Sequence, residues 1–158
     1  IWMLMPSSAS VRNIKLATPT CERMPMPTTE TLQILASPWM LLAPVAALYV
    51  DAYIAAHDAK YLYWRLRPSM ADPTIVPFIP LPNHPAYVSN AAIIASAAAE
   101  LVGYMFPQEA AYWQYLGEEA GLSRIYGGIH YPSDERAGNQ MGKSIAALAI
   151  QRDQLNGQ

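Results

Sequence analysis

The chain has 158 residues, enough for one domain with a sizeable core, and 53% of them are hydrophobic against 14% charged. A net charge of −2 and a pI near 5.9 give no general field for nucleic acid or an acidic membrane surface, so any affinity for anions must be built locally. One cysteine, Cys21, excludes an internal disulfide and a cysteine metal cluster; it names no compartment, and a soluble, extracytoplasmic setting is the expectation.

Residue 1 is isoleucine, which marks a processed, trimmed or partial chain, and no signal peptide is visible. The 14 prolines cluster, six in 1–44 and six in 68–85, the punctuation of a helical protein with proline-rich loops. Residues 1–29 show no clean hydrophobic period, and 1–36 are expected to be an irregular segment packed on a helical domain that occupies 37–158. The window 32–50, LQILASPWMLLAPVAALYV, is long enough to span a bilayer. Gln33, Ser37, Pro38 and Pro44 interrupt it and Asp51 follows, so it reads as a buried core helix, and no integral membrane span is expected. That helix should run over 38–66, carry Pro44, and stop before Pro68 because the residue preceding a proline disfavours the helical region.

Residues 68–87 form a rigid proline loop. Residues 88–106, VSNAAIIASAAAELVGYMF, are alanine-rich and predict a helix that closes at Pro107. A further helix over 108–124 would bury Tyr112, Tyr115, Leu116 and Leu122. YGGIHYP is a glycine turn, and Pro132 suits the first turn of a last helix reaching about residue 152. No segment alternates with a period of two, so the fold class is all-α, a helical bundle.

Three short stretches carry chemistry. In KYLYWRLRP, Lys60 and Arg67 are seven residues apart, which on a continuous helix puts them on one face about 10 Å apart along the axis. Two such cations could converge on one anion; a solvated basic helix end explains them equally. In PNHPAYVSNAA, Ser89 and Asn90 stand at a helix start, whose free N–H groups and dipole favour negative charge, although both residues are also ordinary N-caps. In SRIYGGIHYPSD, Arg124 offers a planar fork for oxyanions. Asp134, four residues after His130, could accept one ring N–H and leave the other nitrogen free to attack.

In this order, Lys60 and Arg67–Pro68, then Ser89, then Ser123–Arg124, His130 and Asp134 resemble the type 2 phosphatidic acid phosphatase (PAP2) superfamily, which includes soluble acid phosphatases and vanadium-dependent haloperoxidases. The wording of DAYIAAHDAKYLYWRLRP and ADPTIVPFIPLPNHPAYVSN is similar to the soluble, haloperoxidase-related branch, and the resemblance covers roughly 42–150. It implies a helical bundle that holds a phosphate or vanadate. Lys60, Arg67, Arg124, Ser89 and the Asn90 N–H would bind the oxygens, His130 would be the phosphorus nucleophile or the vanadium ligand, and Asp134 would orient it. It implies vanadate as cofactor for a haloperoxidase and none for a phosphatase.

The second motif departs from the family pattern. Aligned on Ser89, Val88 replaces a proline, Asn90 a glycine, and Ala91 the histidine that serves as general acid–base. Its loss typically costs ~10²–10⁴ in rate, which predicts an impaired enzyme. An engineered knockout, a derivative that binds with little turnover, and a substitute histidine all fit; His84 and His57 read as structural. The expected function is phosphomonoester hydrolysis through phosphohistidine or vanadate-dependent halide oxidation, and the alternative is a non-catalytic oxyanion-binding module. An integral-membrane lipid phosphatase is disfavoured by Glu100, Glu109, Glu118 and Glu119 between the second and third motifs. The expected partner is a small oxyanion or phosphoester, not nucleic acid; oligomeric state is open, a homo-oligomer included.

Overall fold

A computed structural model of the chain describes residues 26–29 and 38–156. Apart from 26–29, the irregular segment expected over 1–36 lies outside the described residues. The elements are α1 (Pro38–Tyr63), the single turn α2 (Pro68–Ala71), α3 (Asn90–Met105), a 3-10 turn (Pro107–Glu109), α4 (Ala110–Tyr126) and α5 (Pro132–Asn156). The described residues contain no strand, in agreement with the all-α expectation.

Helix α3 is the central element and packs against α1, α4 and α5. Its alanines favour helix and cost little side-chain entropy. Ser89 caps it, its Oγ accepting from the Ala92 N–H at 3.4 Å, and Phe106 ends it before Pro107. Small residues also set how closely its neighbours approach. A Cβ on Gly138 of α5 would lie 2.8 Å from the Ala92 Cβ and 2.9 Å from the Ser89 carbonyl oxygen. On Gly142 it would overlap the Ser96 hydroxyl and the Ile93 carbonyl. Ser96 stitches the same seam, donating to the carbonyls of Ala92 at 2.7 Å and Asn139 at 3.2 Å.

Gly117 performs the same service for α4, where a Cβ would stand 3.0 Å from that of Ala99. The expected buried side of α4 is therefore corrected. Gly117 and Gly121 face inward, while Tyr115, Leu116 and Leu122 are exposed and Tyr112 is half-buried. Against an alanine-lined helix, close approach of two backbones excludes the large side chains.

Helix α1 buries a narrow stripe, Leu48, Ala52, Ala56 and Lys60, at four-residue intervals. Leu48 joins Ala97, Leu101 and Ala146 in one core cluster; Ala52 and Ala56 join Val88 and Ile93 in another. The rest of α1 is not a core helix, since Tyr49, Val50, Tyr53 and Ile54 are about half exposed. Among the described residues no helix is long and apolar enough to cross a membrane.

The end of α1 also differs from expectation. It stops at Tyr63, because Trp64 takes φ 46, a left-handed conformation that costs a non-glycine residue ~1–2 kcal/mol. Arg67 is consequently not on the helix. Its backbone is extended (φ −69, ψ 153), and it precedes Pro68, the first residue of α2. The proline loop thus begins with one helical turn rather than as irregular chain.

Candidate active site

The buried stripe of α1 ends in a charge. Lys60 is 0% exposed and Arg67 1%, and they are the two largest fully buried side chains among the described residues. Burying an ammonium group requires partners for its three donors. Lys60 Nζ donates to the carbonyls of Pro85 (2.9 Å), Ala86 (3.1 Å) and Val88, tying the end of α1 to the loop that leads into α3. Burial, and secondarily Arg67, push its pKa down to about 7, with Asp134 acting in the opposite direction.

Arg67 is held as tightly. Nη1 donates to the Ile129 carbonyl at 2.7 Å, and Nε and Nη2 reach the His84 carbonyl at 3.2 and 3.1 Å. Nη1 also lies 2.9 Å from His130 Nε2, and Nη2 lies 3.2 Å from His84 Nδ1. A guanidinium only donates, so His130 Nε2 is the acceptor and carries no proton; His84 Nδ1 stands between the Arg67 donor and the Pro85 carbonyl, 3.4 Å away, which only accepts.

That assignment fixes the His130 ring. Its Nδ1–H points to Asp134 Oδ2 at 3.1 Å, one helical turn away as the i, i+4 spacing anticipates. Nε2 is left as the lone-pair nitrogen. Burial holds His130 below its ordinary pKa, the Asp134 bond opposing and Arg67 and Lys60 reinforcing that shift. Asp134 is itself fully buried at the start of α5; its Oδ2 also accepts the Tyr131 N–H at 3.1 Å, and its carbonyl accepts the Ser89 N–H at 3.1 Å.

The structure therefore brings Lys60, Arg67, Ser89, His130 and Asp134 into one buried cradle, although Lys60 and Asp134 belong to different ends of the chain. Ser89 is 0% exposed; its Oγ already accepts from the cap, so its proton is free to be donated outward. Asn90 opens α3 with its side-chain Oδ1 buried and unpartnered among the described residues. Arg124, in the last turn of α4, joins through the main chain, its carbonyl accepting from Ile129, whose own carbonyl binds Arg67. Its Nε is buried without a described hydrogen-bond partner.

Two contributors escaped the sequence. Arg65 Nη1 reaches Asp134 Oδ1 at 3.1 Å and the Ser133 hydroxyl at 2.7 Å, and its guanidinium lies 4.2 Å over the Tyr131 ring. On the helix expected to continue to residue 66, Arg65 would have faced away from Arg67. Only the break at Trp64 turns both toward the cradle, and tryptophan is not a stop signal. The other is His84, read as structural, whose ring stands directly on Arg67.

The VCPO second helical-bundle domain matches residues 107–157, a span that includes Arg124, His130 and Asp134 but not Lys60, Arg67 or Ser89. The undecaprenyl-diphosphatase of Sulfolobus acidocaldarius is 29% identical over 109 residues, 65% of this chain and 50% of that protein. Among solved structures, a bacterial vanadium-dependent iodoperoxidase superposes with a TM-score of 0.62 at 24% identity, over 68% of this chain and 31% of its own. A transmembrane PAP2-type phosphatidylglycerolphosphate phosphatase from Bacillus subtilis gives 0.58 at 16% identity, over 70% of this chain and 57% of its own. The chain thus spans half the length of its curated relative and less than a third of the iodoperoxidase.

Proposed function

Because the chain belongs to the superfamily of PAP2 phosphatases and vanadium-dependent haloperoxidases, we propose that its 37–158 region is an oxyanion-handling catalytic domain that cleaves phosphomonoesters through a phosphohistidine at His130. One observation carries this. The two largest buried side chains are cations, Lys60 and Arg67, whose hydrogen-bond partners are carbonyls and imidazole nitrogens rather than a carboxylate. Asp134 is shared with His130 and Arg65. Buried positive charge without a matching negative one is costly unless an anion completes it.

In this reading the roles are as follows. The non-bridging oxygens of a phosphoryl group are neutralised by Lys60, whose three donors stay on carbonyls, and take donors of Arg67 and Arg124 together with the Ser89 hydroxyl and the Asn90 N–H. As Arg67 Nη1 turns to an oxygen, it releases His130 Nε2, whose lone pair attacks phosphorus while the bond to the leaving oxygen breaks. Asp134 stabilises the positive charge that develops on the ring. Water then attacks phosphorus, the N–P bond breaks, and inorganic phosphate leaves. Positioning and charge neutralisation supply most of the catalysis in such a reaction.

Vanadate has the same tetrahedral oxyanion chemistry, and the uncompensated cations and the unprotonated His130 Nε2 fit it; bound there, it would supply peroxide-dependent halide oxidation. The wording shared with the haloperoxidase-related branch favours this second activity. Ala91, which offers no proton, is what favours a module that binds without turnover.

The test is phosphorus NMR of protein quenched during turnover of an aryl phosphate. A phosphohistidine signal in the native chain that His130→Ala abolishes together with turnover is the expected result. Undiminished turnover in His130→Ala places the nucleophile elsewhere. Phosphate and vanadate that raise the melting temperature without turnover or bromide oxidation leave the binding module.

A further inference from the structure

A cavity of about 400 Å³ opens beside the cradle. Tyr61, Trp64, Leu66, Met70 and Pro82 form its apolar wall, and Arg67 and His84 stand at its polar side. The Tyr61 and Trp64 rings meet edge to face, 5.4 Å apart. It borders Arg67, a residue of the cradle, so a phosphoester bound at Arg67 can direct its organic group into it.

Resting on the phosphomonoesterase function above, we propose that His84 is the general acid–base of this site and that the cavity takes a flat, apolar leaving group, so that the preferred substrates are aryl phosphates.

Arg67 binds both histidines at once, Nη1 to His130 Nε2 and Nη2 to His84 Nδ1. Those two bonds and the width of a guanidinium keep the two bonded ring nitrogens within about 8 Å of each other. In-line displacement needs a nucleophile on one side of phosphorus and a proton donor on the other, at this order of separation. While Nδ1 accepts from Arg67 at 3.2 Å, the neutral His84 ring carries its proton on Nε2; a proton taken up at Nδ1 finds the Pro85 carbonyl 3.4 Å away. Nε2 has no hydrogen-bond partner among the described residues, although the ring borders the cavity. His57 braces the ring edge-on at 5.4 Å, and is itself anchored by its Nδ1 bond to the Tyr53 carbonyl at 2.9 Å. Position 91, the expected place of the acid, carries only a methyl group, whereas His84 reaches the same guanidinium from the leaving-group side.

The proton inventory closes. In the free protein burial depresses the His84 pKa, the Pro85 carbonyl opposes that shift, and Lys60, Arg67 and His57 reinforce it. A substrate phosphate cancels those cations and draws Arg67 Nη2 off Nδ1, which takes a proton from solvent as the substrate binds and turns it to the Pro85 carbonyl. When His130 Nε2 forms its bond to phosphorus, the P–O bond to the leaving group breaks and His84 Nε2 delivers its proton to the departing oxygen, producing a phenol. The neutral ring then removes a proton from the water that attacks phosphohistidine. The P–N bond breaks, His130 is regenerated neutral, and the proton returns to solvent.

The test uses leaving groups of graded acidity, because a general acid matters in proportion to how poorly the group leaves. His84→Gln, whose amide oxygen can still accept from Arg67, should lower kcat for phenyl phosphate by ~10²-fold and for dinitrophenyl phosphate by less than about threefold. Placing Ala91→His in that background should restore much of the phenyl phosphate rate by supplying the acid from α3. Phosphate-induced thermal stabilisation should persist in both variants, which shows that the cradle has survived. An equal loss on both substrates, or no loss on phenyl phosphate, overturns the assignment of His84 and leaves His130 untouched. Absence of turnover by the native chain on every aryl phosphate overturns the phosphomonoesterase function and this assignment together.

Discussion

The α3–α5 seam and the buried cradle of Lys60 and Arg67 adjoin where α3 and α5 begin, at Ser89 and Asp134, yet they are built on opposite terms. The seam is held by absence: Gly138 and Gly142 leave out side chains so that Ala92, Ile93 and Ser96 can approach. The cradle is held by polar satisfaction: Lys60 and Arg67 are buried only because carbonyls of Pro85, Ala86, His84 and Ile129 point at them. Changes in the seam should therefore show up in unfolding, and changes in the cradle in anion binding. The two regions meet at Ser89, whose carbonyl is in the seam and whose hydroxyl is in the cradle.

The largest expected effect breaks the seam. Gly142→Ala forces a methyl group into the Ser96 hydroxyl and the Ile93 carbonyl, and should lower unfolding stability by ~3 kcal/mol in urea titration. Next, Arg67→Lys keeps the charge but loses the fork, and should weaken phosphate and vanadate binding by ~10²-fold in calorimetry while the far-ultraviolet helix signal is retained. If instead Arg67→Lys unfolds the chain as Gly142→Ala does, the cradle is structural and the contrast collapses.

Smaller, and sharper, is the pH dependence of Lys60. Its folded pKa of about 7 lies below the ordinary 10.5, so between these values the unfolded chain binds more protons than the folded one. Stability from this group then rises with pH across that window, and below about 7 the fold carries the full cost of a buried ammonium. Denaturation midpoints from about pH 7 to about pH 9 should climb accordingly; saturating phosphate should flatten the slope, and Lys60→Met should remove it.

Gly128→Ala comes next. Gly128 has φ 74 and its Cβ would lie 3.1 Å from the Pro77 Cα, so the change should cost ~1–2 kcal/mol and disturb the approach to His130. Least affected should be Arg65→Met. The Arg65 side chain is 41% exposed, and its pair with Asp134 should contribute less than ~1 kcal/mol to stability, with kcat falling only a few-fold.

What the sequence disclosed follows the same division. Interactions spanning one turn were legible: the Ser89 cap and the His130–Asp134 pair both obey helical spacing. The helices themselves were legible because prolines and alanines speak locally. Lys60 and Arg67 are both buried, but the helical face on which their spacing groups them does not exist, since Arg67 lies beyond the helix. The inward side of α4 was misread because hydrophobic pattern rewards large residues, whereas its neighbour α3 admits only glycine there. Arg65 and His84 were out of reach because each depends on where a loop turns, which no residue in WRLRP or NHP encodes by itself.

The break at Trp64 changes what the interval between Lys60 and Arg67 measures. On a continuous helix, that interval is an angle, and one inserted residue would swing Arg67 by about 100° to another face. Here the last three residues before Arg67 run around a corner, where φ 46 at Trp64 starts the turn and Pro68 ends it. The interval is a length of cord between two fixed posts. Insertion of one residue there would leave Arg67 able to find Ile129 and His130 with a little slack, whereas insertion before Lys60 would rotate the whole buried stripe out of register. Tolerance to insertion should thus switch abruptly at Tyr63, within a motif that reads as uniform.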